Sequence, residues 1–290
     1  MVKKRILLFG STGMAGHILH DYLKTTNNYE ITDVAYRTKL TENTLIVDVN
    51  NKEQVREIVI KSRPEFIING VGVLIRGSQK HPDNAIYINA YFPHLLKKYA
   101  DEVDAKLVHI STDCVFSGKK GNYTEDDFTD ADDVYGRSKA LGEIINNKDL
   151  TIRTSIIGPE LKQKGEGLFH WFMNQTGEVN GYTRAIWGGV TTLELAKAMN
   201  VAIQQERTGL IHLSNGHGIS KYNLLCLFKE IWDRQDILIT PYDTNKTNKS
   251  IALSRQFDYT VPNYRDMLME QYLWMREHKN RYSAYFHTCT

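Results

Sequence analysis

The stretch RILLFGSTGMAGHILHDYLKT, Arg5–Thr25, changes its pattern in the middle. Arg5–Phe9 is a short apolar run, and the residues after the glycines carry apolar side chains at helical spacing. An apolar run, a turn and then a helix read as the opening of a βα unit. Gly10, Gly13 and Gly16 lie in the turn. In such a turn the first glycine permits a tight bend, the second lets backbone approach a pyrophosphate, and the third lets the helix pack on the strand. The N–H groups at the start of the helix favour an anion. A lone glycine triplet also fits a plain strand-to-helix turn, but its place directly after a strand and before a helix favours phosphate binding. Gly10, Thr12, Gly13 and Met14 are therefore candidate cofactor contacts.

The rhythm continues. YEITDVAYR (29–37) and TLIVDV (44–49) read as strands two and three, NKEQVREIVIKSR (51–63) as an amphipathic helix, and EFIINGVGV (65–73) as strand four. A long helix is expected over much of Pro82–Ala100, a fifth strand at AKLVHIST (105–112), a helix from Asp132, and a sixth strand at LTIRTSI (150–156). Alternating strands and helices with apolar strands predict an α/β, Rossmann-like, doubly wound parallel sheet. The rhythm breaks near Ser155. We expect a nucleotide-binding domain over 1–155 and a smaller, mixed α/β substrate-binding region over 156–290, with segments near 190–216 returning to the first domain. Residues 167–192 read as loop-rich and aromatic. Helices are expected at 192–205, 220–233 and 263–279, with a strand at TGLIHLSNG and a polar tail at the end.

The end of the second strand addresses the choice of cofactor. NAD sites place an acid there, on the ribose 2′-hydroxyl. Here the strand ends AYRTK, with Arg37 in that place, and an arginine suits a 2′-phosphate. Asp33 comes too early to reach the ribose. NADP(H) is favoured over NAD, and the alternative is that Arg37 is a solvated surface charge.

Composition excludes several classes. The chain has 290 residues, 41% hydrophobic and 24% charged, which is ordinary globular usage. A net charge of +2 gives no global case for nucleic acid. Three cysteines, at 114, 226 and 289, do not form a disulfide framework, and a reducing cytoplasm is the expected compartment. The apolar run after MVKKR stops at Phe9, so a buried strand is expected rather than a signal peptide. No stretch approaches the ~20 apolar residues of a membrane span. Ten histidines show no HxxxH or HExxH pattern, so no structural metal is expected. The oligomeric state stays open, with a homodimer as one option.

Two further stretches carry chemistry. HISTDCVFSG (109–118) delivers Ser111, Thr112 and Asp113 to the carboxyl end of the fifth strand, the edge where open α/β sheets bind ligands. DDVYGRSKALGE (132–143) places Tyr135 and Lys139 one helical turn apart. Hydride reduction of a carbonyl creates an alkoxide that must be protonated. A tyrosine with an ordinary pKa near 10 is a weak acid at pH 7, and a neighbouring ammonium lowers that pKa. Thr112 can hold the substrate oxygen, while Ser111 points to the other side of the strand. The YxxxK spacing alone also arises by accident on helix surfaces.

Taken together, GSTGMAG, STDCVFSG, NYTEDD and YGRSKALGE, in that order, resemble the extended short-chain dehydrogenase/reductases. The closest resemblance is to the dTDP-4-dehydrorhamnose reductase-like sugar-nucleotide 4-ketoreductases. The similarity runs from about residue 5 to 160, and more loosely to GLIHLSNG. It implies NADPH-dependent reduction of the 4-keto group of a 4-keto-6-deoxy nucleotide sugar for deoxysugar or polysaccharide synthesis. It implies Tyr135 as catalytic acid, Lys139 as its tuner and ribose ligand, and Thr112 as third member. Asp48 and Val49 should border the adenine, and Gly70, Val71 and Gly72 the middle of the cofactor. Asn89, Asp113 and Cys114 should lie near the substrate. Arg76, Arg184, Trp187 and Arg255 are candidates for a nucleotide diphosphate, since arginine matches phosphate and stacks on bases. Each is also an ordinary surface or packing residue. The chain departs from the family at Cys114 (tyrosine in many members), at Ile156 (tryptophan) and in the loop NGVGVLIRG, all expected near the sugar. Two other readings stay open. One is an epimerase or dehydratase with retained cofactor, against which no DE pair follows Thr112. The other is a non-catalytic subunit like that of methionine adenosyltransferase, against which Thr112, Tyr135 and Lys139 are all present.

Overall fold

The computed structural model describes residues 2–244 and 246–286; Cys289 and the last four residues of the expected polar tail lie outside them. Six strands of the first half form the centre: β1 Lys4–Phe9, β2 Tyr29–Ala35, β3 Leu45–Ile46, β4 Phe66–Asn69, β5 Lys106–Thr112 and β6 Leu150–Thr154. The strand Gly209–His212 joins them, and the order is Gly209–His212, β6, β5, β4, β1, β2, β3. Every pairing is parallel.

Strand β1 is apolar on both faces because both faces are covered. Ile6 and Leu8 join Ile18, Leu19 and Leu23 of helix α1 (Gly16–Thr25) in one core. Leu7 and Phe9 join Val55 and Val59 of α2 (Lys52–Ser62) in the other. β2 and β4 flank β1, so the chain runs outward in both directions from β1. The carboxyl ends of β1 and β4 therefore meet at the switch point where such sheets bind ligands. Strand three is shorter than TLIVDV suggested: only Leu45 and Ile46 pair, at the sheet edge.

The helix expected over Pro82–Ala100 is continuous but built of two kinds of turn, α and π. Short helices α3 (Ile75–Lys80) and α4 (Pro82–Ala85) lead into a π-helical turn, Ile86–Tyr91, and then α5 (Phe92–Glu102). The sequence supplies a cause. Pro93 has no N–H to offer the carbonyl of Asn89, and its ring crowds that carbonyl, so the backbone widens there. Helix α6 is Val134–Leu141.

The stretch 167–192 is more regular than it reads. It holds the helix Leu168–Met173 and strands Gly177–Tyr182, Ala185–Trp187 and Val190–Thr191. Their partners are distant in sequence: Ile237–Tyr242, Ile219–Ser220 with Thr247–Asn248, and Ile156–Ile157. Phe169, Phe172, Phe228 and Trp232 form the core of this part. The helix Thr192–Gln204 packs instead into the core beside α1. Among the described residues, no helix is long and apolar enough to cross a membrane.

Candidate active site

The glycine turn is built from backbone in contact with backbone. Gly10 has φ +85°, and its N–H donates to Val34 O at 2.9 Å. A Cβ on Gly10 would fall 2.9 Å from the Gly70 carbonyl carbon, and one on Gly16 would fall 2.0 Å from Gly10 O. Side chains here would push β1, α1 and the end of β4 apart. Helix α1 begins without a side-chain cap, a start that favours an anion, although the His17 N–H donates to Gly13 O at 3.3 Å and the Gly13 N–H to Gly10 O at 2.9 Å. Thr12 and Met14 are half-buried. Met14 reaches the second half, since a Cβ on Gly167 would sit 2.4 Å from Met14 Cε.

Around this turn, Arg37 is exposed just beyond β2 and lies over the Tyr36 ring, 4.5 Å from its centroid. Asp33 is buried two residues before the end of β2, with Oδ2 unpartnered. Asp48 accepts the Asn50 N–H at 3.0 Å, and the Val49 carbonyl accepts the Tyr87 hydroxyl at 3.1 Å. The Gly70–Gly72 loop is pinned at both ends. Val71 N–H donates to Asn69 Oδ1 at 3.1 Å, and Val73 N–H to Asn89 Oδ1 at 2.9 Å.

Helix α6 carries Tyr135 and Lys139, and two glycines seat it. A Cβ on Gly136 would fall 2.2 Å from Cys114 O, and one on Gly142 would fall 1.9 Å from Asn89 O, the carbonyl left free by Pro93. Asp133 caps the helix by accepting Gly136 N–H at 2.8 Å. At the end of β5, Thr112 Oγ1 accepts Cys114 N–H at 3.1 Å and so caps the short turn Asp113–Val115. Ser111 points the other way and donates to Glu143 Oε1 at 2.6 Å.

The structure brings Thr112 and Tyr135 together. Tyr135 is half-buried, and loss of water pushes its phenol above the ordinary value; Cys114, Asp113 and Asp133 push the same way, and a hydrogen bond with Thr112 opposes them. This differs from the sequence expectation of a phenol lowered by Lys139. Lys139 shares the helix but is directed at β5: buried Nζ donates to Ile110 O at 2.7 Å and lies 3.4 Å from His109 Nε2. Burial pushes Lys139 down to about 8, with Glu143 opposing.

Asn89 is fully buried and its amide is used by the protein. It accepts Val73 N–H and donates to Val73 O at 3.0 Å and to Ser138 Oγ at 3.1 Å. It clips the loop after Gly72 to α6, which is a positioning role rather than the substrate contact expected of it. Asp113 is buried, and burial raises it against the opposing charges of Lys249 and Lys221. Burial pushes the Cys114 thiol up to about 12. Arg76 and Arg255 are exposed, and Arg184 is exposed with Nε 3.6 Å from Asp243. Trp187 is in the core of the second half, its indole N–H on Ser155 Oγ at 2.8 Å, so it offers no free face for a base. Ile156 pairs with Val190 and packs against the core around α1.

Sequence reasoning missed Lys221 and Lys249, the cations of the second half that act on Asp113. Nothing in their local sequence marks them. It also missed Asn69, His109, Ser138 and Glu143. For Asn69 and His109 a signal existed: each is a polar residue inside an apolar strand, where burial demands a partner. Among the described residues, no three His, Cys, Asp or Glu side chains group to hold a metal.

Comparison with known proteins agrees with this architecture. The RmlD substrate binding domain model matches residues 4–257. The dTDP-4-dehydrorhamnose reductase of Salmonella typhimurium is 32% identical over 225 residues, covering 73% of this chain and 72% of that protein. Methionine adenosyltransferase 2 subunit beta of Bos taurus is 23% identical over 246 residues, covering 79% and 72%. A crystal structure of dTDP-4-dehydrorhamnose reductase from Bacillus anthracis, in complex with NADP, has a TM-score of 0.80 at 23% identity and covers 94% of this chain and 100% of that one. With a family match over most of its length and the motifs of that family in order, this chain belongs to the RmlD substrate binding domain family, the dTDP-4-dehydrorhamnose reductase-like branch of the extended short-chain dehydrogenase/reductases.

Proposed function

We propose that this chain is an NADPH-dependent, cytoplasmic reductase of the 4-keto group of a 4-keto-6-deoxy nucleotide sugar, acting in deoxysugar and polysaccharide synthesis. The observation that carries this reading is the meeting of Thr112 and Tyr135 over the carboxyl end of β5, with Lys139 on the same helix. Residues 1–155 form the cofactor domain and 156–290 the substrate region, with 190–216 returning to the sheet.

The residues fit the cofactor. The uncapped start of α1 and the Gly10–Gly70 approach suit a pyrophosphate, and the exposed Arg37 suits a 2′-phosphate. NADPH, when bound, supplies the hydride. The chain supplies position and the proton. Thr112 Oγ1 accepts Cys114 N–H and donates to Asp113 Oδ1 at 3.3 Å, a long contact, and its proton turns from Asp113 to a substrate oxygen. Tyr135 donates its proton to the alkoxide oxygen. Lys139, turned from Ile110 toward the phenol as an ammonium, stabilises the phenolate left behind. Lys221 and Lys249 bring positive charge from the second half toward Asp113, which suits a diphosphate.

The test is NADPH consumption with a panel of 4-keto-6-deoxy nucleotide sugars. Tyr135→Phe should lower kcat by about 100-fold or more. Undiminished turnover would remove Tyr135 from its role. The similarity to a methionine adenosyltransferase subunit favours a second reading, a non-catalytic partner protein. A stoichiometric enzyme partner in a pull-down, with no turnover of any sugar, would select it.

A further inference from the structure

Asn69, His109 and Lys139 form a buried row across β4, β5 and α6. One end fixes its direction. Asn69 Oδ1 accepts the Val71 N–H, so Nδ2 is the atom that faces His109 Nδ1, at 3.2 Å. The reversed amide would set N–H against the Val71 N–H. Asn69 therefore donates and His109 Nδ1 accepts, which leaves the single proton of the neutral ring on Nε2. That N–H faces Lys139 Nζ at 3.4 Å, while Nζ itself donates to Ile110 O. An N–H aimed at Nζ needs a lone pair there. An amine has one and an ammonium has none.

The surroundings point the same way. Burial favours the uncharged form of Lys139, and His109 is held well below its ordinary value by burial, with Lys139 and His94 adding to the effect, so the ring does not take the proton instead. The groups that face Lys139 are His109 on β5 and Glu143 beyond the end of α6. Glu143 draws Lys139 toward the charged form, but its carboxylate is already engaged by Arg153 and Ser111.

We propose that His109 is a positioning residue that holds Lys139 as a neutral amine against β5, and that Lys139 takes up one proton when it turns to the nicotinamide ribose and Tyr135. The inference rests on the NADPH reading above. The step is an acid–base one: the amine lone pair binds a solvent proton, giving the ammonium, with no change at carbon and no redox partner. It makes the charge that tunes Tyr135 conditional on a loaded site. The sign of the linkage follows. Lys139 has the higher pKa in the loaded protein, so binding takes up a proton above about pH 8, and the Kd for NADPH rises toward tenfold per pH unit there.

The test is calorimetry of NADPH binding at pH 9 in Tris and in tricine, whose ionisation enthalpies differ. The cofactor's 2′-phosphate is fully ionised at this pH and adds no proton of its own. Uptake should approach one proton for the natural chain. In H109Q the amide oxygen takes the Nε2 position and accepts from an ammonium, so uptake should fall toward zero and Kd should flatten between pH 7.5 and 9. H109N keeps the contact with Asn69 and lacks the second donor; it should do the same and serves where H109Q does not fold. Independently of any cofactor, ¹H–¹⁵N correlation of the histidine rings should show His109 with its proton on Nε2. A proton on Nδ1, no uptake by the natural chain, or undiminished uptake in the folded variant overturns the proposal. A chain that takes up the proton but reduces no 4-keto sugar sinks the proposed substrate and leaves this inference standing. Normal turnover without uptake does the reverse.

Discussion

Glu143 and Arg153 form a buried ion pair whose removal should be costly. Their side chains are each 4% exposed and meet at 2.7 Å through two parallel bonds, Arg153 Nε to Oε1 and Nη2 to Oε2. Ser111, next to Thr112, donates to the same carboxylate. Arg153 Nη1 also approaches Glu125 O and His212 Nε2, each at 3.4 Å. Glu143→Gln leaves the guanidinium buried with no countercharge. Breaking one side of a buried pair costs about 3–5 kcal/mol. Unfolding entropy of roughly 2.1 cal/mol/K per residue over the whole chain gives about 0.6 kcal/mol per kelvin, so Tm should fall by about 5–8 °C. Replacing both members, as Glu143→Leu with Arg153→Met, removes the stranded charge and should cost less than the single change, because desolvation of both ions is also relieved. Thermal melts by circular dichroism at pH 7 read both. A fall below about 2 °C in the single variant, or a double variant that loses the sum of the two singles, would show that the pair contributes little.

Two other groups give quantitative outcomes. Burial pushes His17, next to the glycine turn, down to about 4 from an ordinary 6.5. A depressed folded value means the stability is present above pH 6.5 and is lost as pH falls toward 4; at pH 5 the loss is about 2 kcal/mol. Urea denaturation should therefore show a pH 7 to 5 loss about 2 kcal/mol smaller in His17→Gln than in the natural chain, and parallel curves would refute it. Cys114, at about 12, should hold about one thiolate in 10⁴ at pH 8. Its alkylation by iodoacetamide, read by peptide mass spectrometry, should run about a thousandfold slower than that of a free thiol; a rate within tenfold would show an activated cysteine.

The sheet was legible because its causes are local. A strand buried on both faces favours an apolar run, and β1 and β4 are such runs; β5 (KLVHIST) and β6 (LTIRT) mix polar side chains into the run and were legible from their place in the alternation of strands and helices. The π turn at Ile86–Tyr91 was less visible, although Pro93 stands inside the expected helix as its cause, because an interior proline announces a break or kink and not the kind of turn that absorbs it. The strands between 177 and 191 were not legible. Their partners lie up to 62 residues away, and no local period announces such pairing. Of the departures from the family, Cys114 does lie beside Tyr135, whereas Ile156 is absorbed into packing against the core around α1.

The site divides along the same physical line. Gly10, Gly16, Gly136 and Gly142 could be recognised because each marks a place where backbone approaches backbone too closely for a side chain. Thr112 and Tyr135 could be recognised because the two motifs so anchored deliver them to one sheet edge. What the motifs do not encode is where a long side chain rests once it is there. Lys139 shares a helix face with Tyr135 in sequence, yet its four-carbon stem lets Nζ reach Ile110 O and His109 instead. That choice is decided by Asn69 and His109, which come from two other strands and whose hydrogen-bond direction is set by a single backbone N–H, that of Val71. A spacing of four residues specifies that tyrosine and lysine can cooperate. The network beneath them specifies when, because an amine turned to β5 cannot stabilise a phenolate and an ammonium turned to the phenol can.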